Sequence, residues 1–422
     1  MIASGCPDRL WTLPPRARVT LVSMKWASFV SEEPDLEVAA IQASKEVLEQ
    51  LGSRPADLLL VFVSAHHEED YPAIPGELRR FFPDAAIVGC SGGGVVGGGR
   101  EVEYGPALSL TTAWLPDVRV QPFHLEPSDA DELASRPEGW YERLGIVGNA
   151  SAHFILMPDP YSCDAGALLG SLDVAFPDSR KIGGLASGGS RPGENALFIG
   201  DSVYPDGAAG VLLDGNLDMD TIVAQGCRPI GSPVFITAAV RNRILELDGR
   251  RPTEVMAELF HELDPGDQDL FRRALFVGMV MTEGRTEYGH GDFLIRNVIG
   301  VDPATGTLTV AEVVHPGQVM QFHVRDALTS SADLDGSLKR YTSEQPVSPA
   351  GILLFSCMGR GETLYGEPDH DSRMIAGYLG PTPIGGFFCN GEIGPVDRRT
   401  FLHGYTSSIG VFRPRYQREP ES

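Results

Sequence analysis

The sequence predicts an α/β protein of two lobes, with mixed β-sheets flanked by helices and built on a repeated strand-helix-strand-Gly loop-strand unit. Three observations predict it. The pattern Ile-x-Gly-x-x-x-x-Gly occurs at Ile87/Gly89/Gly94, Ile182/Gly184/Gly189 and Ile384/Gly386/Gly391. An apolar run of buried-strand character precedes each copy, at Leu58–Val63, Phe154–Met157 and Ile352–Phe355, at a distance that suits a helix joining parallel strands. A glycine and another short strand follow each copy: Gly105 then Ala107–Thr111, Gly207 then Gly210–Leu213, Gly404 then Ser407–Phe412. That third strand is expected to run antiparallel, which makes the sheet mixed.

Residues 1–23 hold Pro7, Pro14 and Pro15 without periodicity and are expected to be a disordered extension, with Met24 the more natural start. The first helix begins at the N-cap Asp35, carries an apolar stripe of Val38, Ile41, Val47, Leu48 and Leu51, and stops at Gly52. Gly92–Gly99 lacks the Lys-Ser/Thr of a phosphate loop and reads as a close backbone approach or a mobile loop. Beyond the second copy the texture changes. Phe235–Leu247 is strand-like with a turn at Asp248-Gly249, and Thr253–Leu263 is a helix. Phe293–Val301 and Thr307–Val314 flank the turn Asp302–Gly306 as a hairpin, and Asp326–Tyr341 is helical. The lobes are therefore expected at 24–225 and 226–412, followed by a Pro- and charge-rich tail, 413–422, that frays.

Charge restricts the partners. Against 34 Lys and Arg stand 57 Asp and Glu, a net −23, and such a surface repels phosphate backbones and anionic lipid. Nucleic acid and membrane surfaces are set aside on that ground. No apolar run approaches the ~20 residues of a membrane span. The six cysteines include no C-x-x-C pair, so a disulfide framework is not expected and a reducing, cytoplasmic compartment is.

In a strand-helix-strand unit, ligands collect at the C-terminal ends of the parallel strands. That rule selects Ser356-Cys357-Met358-Gly359-Arg360-Gly361 and Cys389-Asn390-Gly391-Glu392, with His403 on the way into the next strand. A guanidinium at Arg360 matches a carboxylate and an acid at Glu392 matches an ammonium, so the two would read both ends of an amino acid. Gly359 and Gly391 would let backbone N–H groups approach the ligand, and Asn390 offers an amide. The blander reading pairs Arg360 with Glu392. Cys357, Cys389 and His403 also suggest a thiol nucleophile with a base, although buried thiols usually act as small hydrophobes. Cys90, Ser91 and Glu103 are second-rank candidates from the first glycine loop. His66-His67-Glu68-Glu69-Asp70 reads as a solvated loop and Asp369-His370-Asp371 as a helix N-cap. Neither has metal-ligand spacing, so no metal and no cofactor are expected.

The segments Ile352–Gly361, Gly385–Val396 and Phe401–Thr406 together resemble the signature of FIST C-terminal domains, and Val88–Val96 with Arg100–Glu103 resembles the FIST N-terminal domain. The resemblance covers most of residues 24–412. It implies a sensor of small polar ligands, with amino acids the usual suggestion, in intracellular signal transduction. It supplies no catalytic residues, and it leaves the downstream signalling partner unnamed. Two alternatives stand beside it: a thiol-dependent enzyme acting on a small amide or ester, and a protein-interaction scaffold. A pocket lined by Arg360 and Glu392 would favour the sensor, a bonded Cys–His pair the enzyme, and a large apolar patch the scaffold.

Overall fold

The computed structural model describes residues 24–146, 152–345 apart from 283, 286 and 290, and 348–415. The expected extension, 1–23, and the end of the expected tail lie outside them. Within the described part of the tail, Arg413 and Arg415 are tied to Asp218 and Asp220 by ion pairs of 2.8–3.0 Å.

Three stretches of chain follow one order. The first runs β1 (Lys25–Ser31), α1 (Leu36–Leu51), β2 (Leu58–Ser64), α2 (Ile74–Arg79), β3 (Ala86–Gly92), the hairpin β4 (Gly94–Gly97) and β5 (Arg100–Val102), then β6 (Leu108–Trp114). The second runs β7 (Val118–Leu125), α3 (Pro127–Ser135), α4 (Gly139–Leu144), β8 (His153–Pro158), α5 (Ala165–Ala175), β9 (Lys181–Gly184), the hairpin β10 (Leu197–Ile199) and β11 (Ser202–Tyr204), then β12 (Ala208–Gly215). The third opens with β13 (Asp218–Gln225), and there an insertion interrupts it. The insertion holds β14 (Cys227–Val240), β15 (Arg243–Leu247), α6 (Pro252–Glu262), α7 (Pro265–Arg273), β16 (Leu275–Val280), β17 (Phe293–Asp302), β18 (Thr307–Val310) and β19 (Val319–Arg325). The third stretch then resumes with α8 (Ala327–Glu344), β20 (Gly351–Cys357), α9 (Glu362–Tyr365), α10 (His370–Leu379), β21 (Ile384–Cys389), the hairpin β22 (Glu392–Val396) and β23 (Arg399–His403), and β24 (Thr406–Arg413).

Each stretch builds four strands of a sheet, in the orders β1-β6-β2-β3, β7-β12-β8-β9 and β13-β24-β20-β21. The central pairs β2/β3, β8/β9 and β20/β21 are parallel. The returning strands β6, β12 and β24 are antiparallel to them. A hairpin from a different stretch completes each sheet: β10–β11 joins the first, β22–β23 the second and β4–β5 the third. The exchange is cyclic, and it gives every otherwise open edge at β3, β9 and β21 a partner.

The inner faces of the three sheets share one core. Phe62 stacks on Phe387 at 4.9 Å, and Phe355 meets both rings edge-on. Helices cover the outer faces: α1 the first sheet, α3 to α5 the second, α8 and α10 the third. Burial on both faces is why Leu58–Val63 and Ile352–Phe355 read as unbroken apolar runs rather than alternating ones. It also explains the glycines. Gly89, Gly183 and Gly386 sit opposite Val61, Leu156 and Leu354 in the parallel pairs. A Cβ on any of them would lie 1.8 Å from the opposite carbonyl oxygen. In the second sheet the close approach thus falls on Gly183, one residue before the Gly184 of the sequence pattern. The run Gly94–Gly97 is a strand packed against β21, and a Cβ on Gly97 would lie 2.7 Å from the Phe29 carbonyl oxygen.

Helix α1 shows where periodicity misleads. Asp35 caps it as expected, accepting from the Val38 N–H at 3.0 Å. Its buried face, however, is Leu36, Ala39, Ala40, Ala43, Val47 and Leu51, while Val38 is 47% exposed. Small alanines allow the close approach to the sheet that Val38 and Ile41 would prevent. The segment His66–Asp70, expected as a solvated loop, is part of a 3₁₀ turn that buries His67.

The insertion forms a closed six-stranded barrel in the order β14-β15-β18-β17-β16-β19, with its own core. The barrel begins just after β13, which itself pairs with the C-terminal strand β24. The expected hairpin around Asp302–Gly306 is β17–β18. No helix among the described residues is long and apolar enough to cross a membrane.

Candidate functional site

The strands β20 and β21 run in register, pairing Cys357 with Cys389 at their ends. Both chain exits therefore open on one side. Facing them are barrel strand β17, helix α5 and strand β23, and a cavity of about 1060 Å³ lies between. Cys357, Gly359, Cys389, Asn390, Gly391, Glu392 and His403 all contribute to its wall. Arg360 does not.

The exclusion of Arg360 has a simple cause. Its side chain is fully buried, and its fork is taken by Asp371, with Nε to Oδ2 at 2.8 Å and Nη2 to Oδ1 at 3.1 Å. Asp371 also accepts from the Ser407 hydroxyl at 2.6 Å. The Arg360 charge and these hydrogen bonds hold the Asp371 carboxyl far below the usual range against the opposing effect of burial. The expected partnership of Arg360 with Glu392, either through a ligand or directly, is thus replaced by a buried Arg360–Asp371 pair.

Glu392 starts β22 at the floor of the cavity and is fully buried. Its Oε2 accepts from the Thr406 N–H at 2.9 Å, and the Cys389 thiol lies 3.7 Å from Oε1. Burial pushes the carboxyl up to about 8, with the Thr406 N–H and the Arg360 and Arg325 charges pulling the other way. Burial thus favours the neutral acid, and a cation placed beside it would favour the anion.

The thiols are not activated. Cys389 packs against Gly184 in the central core, and burial raises its thiol well above the ordinary value. Cys357 is half-buried on the cavity wall and is pushed up to about 11 by burial and by the neighbouring Glu392. His403 is buried with Nε2 3.0 Å from the Gly394 carbonyl, to which it donates, and burial lowers it to about 4. Among the described residues no hydrogen bond joins this ring to either thiol. The thiol-and-base arrangement expected as an alternative is not assembled, because β23 turns the ring toward the backbone of β22.

The second-rank residues lie elsewhere. Cys90 is wholly in the central core. Ser91 accepts from the Ala196 N–H at 3.1 Å and serves the β3–β10 junction. Glu103 follows β5 and accepts from the Glu362 N–H at 2.7 Å, which ties the exchanged hairpin to α9. Asp369 likewise accepts from the Glu101 N–H instead of capping its own helix. Among the described residues no three His, Cys, Asp or Glu side chains gather in a form that holds a metal ion.

Sequence reasoning missed two residues here. Asp371 was legible only as a helix-start residue. Arg325, the last residue of β19, stands with its guanidinium carbon 4.9 Å over the Tyr405 ring beside the cavity wall. Only the folding of the barrel onto the third sheet brings it there, and no local pattern signals it.

Comparison with known proteins adds the lineage. The FIST N domain matches residues 57–250 and the FIST C domain residues 252–395. An uncharacterised protein of Mycobacterium tuberculosis is 37% identical over 385 residues, covering 91% of this chain and 98% of its own. An uncharacterised protein of Mycobacterium bovis is 34% identical over 384 residues, covering 91% and 97%. Among solved structures, a cyanuric acid hydrolase from A. caulinodans aligns over 93% of this chain and 100% of its own at 9% identity, with a TM-score of 0.36, too low to support any inference.

Proposed function

Because the chain belongs to the FIST family, whose domains are associated with sensing in signal transduction, we propose that it binds a small polar ligand in the cavity at the ends of β20 and β21. The observation that carries this reading is the setting of Glu392: a buried acid at the floor of a cavity near the upper end of the ~300–1,000 Å³ of ligand pockets. A buried acid is a receptor for a cationic group, because an incoming ammonium stabilises the charged form that burial disfavours. Amino acids are the ligand class this favours, with Gly391 and Asn390 at the same edge offering backbone and amide contacts. The protein acts as a sensor, and the raised thiols and turned-away His403 speak against the enzymatic alternative.

A thermal-shift screen against amino acids and small amines tests the proposal. A ligand at a hundredfold its dissociation constant adds roughly 2.7 kcal/mol of stability. Binding of an amine to neutral Glu392 should release about one proton per ligand at pH 7, read from calorimetry in buffers of different ionisation enthalpy. Glu392→Gln should abolish that release. An amine that binds without proton release, or equally well to the variant, would remove Glu392 from the site.

A further inference from the structure

Buried polar atoms without a hydrogen-bond partner are rare in folded chains and mark places where something is missing. Among the described residues five of the twelve belong to one neighbourhood. Arg325 contributes Nε and Nη2, Arg360 its Nη1, and Tyr365 and Ser356 their hydroxyls. All five atoms come from the C-terminal end of β20, the short helix after it and the barrel strand β19 that faces them. The remaining cases, at Trp26, Ser44, His67, Glu101, Gln121 and Ser179, are dispersed over the three sheets and their helices. Tyr365 also has Asp371 within its reach, so the donors that lack an acceptor are chiefly those of the two guanidinium groups.

Of the two guanidinium groups, Arg360 is committed to Asp371. Arg325 has no carboxylate within ion-pair distance among the described residues, in a chain of net charge −23. Its Nη1 lies against Gly359, 2.8 Å from where a Cβ would sit. Gly359, Cys357 and Tyr405, which surround this guanidinium, are all wall residues of the cavity. The cation thus stands behind the wall and outside the lining itself, with its Nη1 against the backbone of Gly359.

We infer that Arg325, reaching from the barrel past Gly359, is the anion-reading residue of this site and takes a carboxylate or phosphate group of the ligand. The inference rests on the reading of the cavity as a ligand site and moves the anion contact from Arg360 to Arg325. A planar fork with free N–H groups matches either anion in bidentate fashion. Because Arg325 belongs to β19 and Glu392 to β22, a ligand held by both joins the barrel to the three-sheet body.

The test uses simple anions, so it needs no knowledge of the natural ligand. Acetate and inorganic phosphate are titrated separately into the full chain at constant ionic strength, and melting temperature and dissociation constant are read for wild type, Arg325→Gln, Arg325→Lys and Arg360→Lys. One of the two anions should stabilise the wild type, and which one does so separates a carboxylate ligand from a phosphorylated one. Arg325→Gln should weaken that binding by roughly 10- to 150-fold. Arg325→Lys should weaken it as well, since the fork is lost. Arg360→Lys should lower the melting temperature of the free protein while leaving the ratio of bound to free stability unchanged. Gly359→Ala, which pushes the guanidinium away, should weaken the anion and keeps the test open should Arg325→Gln fail to fold. Unchanged affinity in folded Arg325→Gln or Gly359→Ala overturns the inference, as does a wild type that neither anion stabilises. A metabolite screen that finds no amine ligand, alongside anion binding lost in Arg325→Gln, would sink the amino-acid reading and leave this one standing.

Discussion

The end of β8 and the end of β20 are the same place in two sheets. Asp159 and Cys357 each lie three residues beyond the position that faces the close-approach glycine, Leu156 in one case and Leu354 in the other. At the second sheet the place is closed. Asp159 is buried and accepts from the Asn195 amide at 2.9 Å, the Tyr161 N–H at 3.1 Å and the Ser162 hydroxyl at 2.6 Å. Asn195 continues the network by accepting from the Gly189 N–H. At the third sheet a thiol replaces the carboxylate, the loop turns inward as Gly359-Arg360-Gly361, and the barrel strands cover the opening without filling it. The difference teaches that the three-sheet frame does not itself make a site. The cavity lies where the barrel interrupts the third stretch, beside donors at the strand end that lack partners.

The largest expected effect lies on the open side. Asp371→Ala leaves the fully buried Arg360 charge unpaired and should cost about 3–5 kcal/mol in urea unfolding. The double variant Arg360→Met, Asp371→Leu should recover most of that loss; no recovery would mean that the pair contributes through its neighbours instead of through charge. On the closed side, Asp159→Ala strands the groups it accepts from and should cost about 1–3 kcal/mol. It should leave ligand-induced stabilisation untouched, and a variant that lost ligand response would show that the two strand ends are not functionally distinct.

The pH dependence sharpens the contrast. Glu392 titrates near 4.5 when unfolded and is raised to about 8 when folded. Its contribution to stability is fully present below about 4.5 and is lost as pH rises through about 8. Glu101, raised in the same direction by burial and by Asp371, adds to this fall. His403 runs the other way. It is lowered from 6.5 to about 4, so its contribution is present above 6.5 and is lost as pH falls through about 4. Melting temperatures between pH 4 and 9 should therefore decline toward the alkaline end. Glu392→Gln should flatten part of that decline without altering the acidic side. The smallest effects belong to the cysteines: Cys389→Ala should cost about 1 kcal/mol and Cys357→Ala less, with ligand-induced stabilisation retained in both.

Much of this frame was readable because it rests on strong local signals. Leu58–Val63 and Ile352–Phe355 could only be strands covered on both faces, and the glycine pattern located the partners that lie against them. The rest depended on contacts between residues far apart in sequence. Nothing near Gly94 announces that β4 will pair with β21, so of the two readings of the glycine run, close backbone approach and mobile loop, the structure bears out only the first. The buried face of α1 was misplaced because alanine carries little apolar weight in a periodicity and much in a close packing. The rule of strand ends pointed to residues that line the cavity, Glu392 among them. Arg360 was misassigned because its partner, Asp371, has the form of an ordinary helix-start residue. Arg325 carries no local signal, because only the barrel's tertiary placement brings it beside Tyr405 and Gly359.

The cyclic exchange of hairpins also sets a timetable for synthesis. On a ribosome that adds about 5–20 residues per second, β4 emerges some 15–60 s before its partner β21 exists. For that interval the first hairpin has no sheet to join, and the edge of β3 waits for β10. Nascent chains halted near residue 225 should thus be protease-sensitive, whereas the whole chain, with every exchanged hairpin paired, should resist.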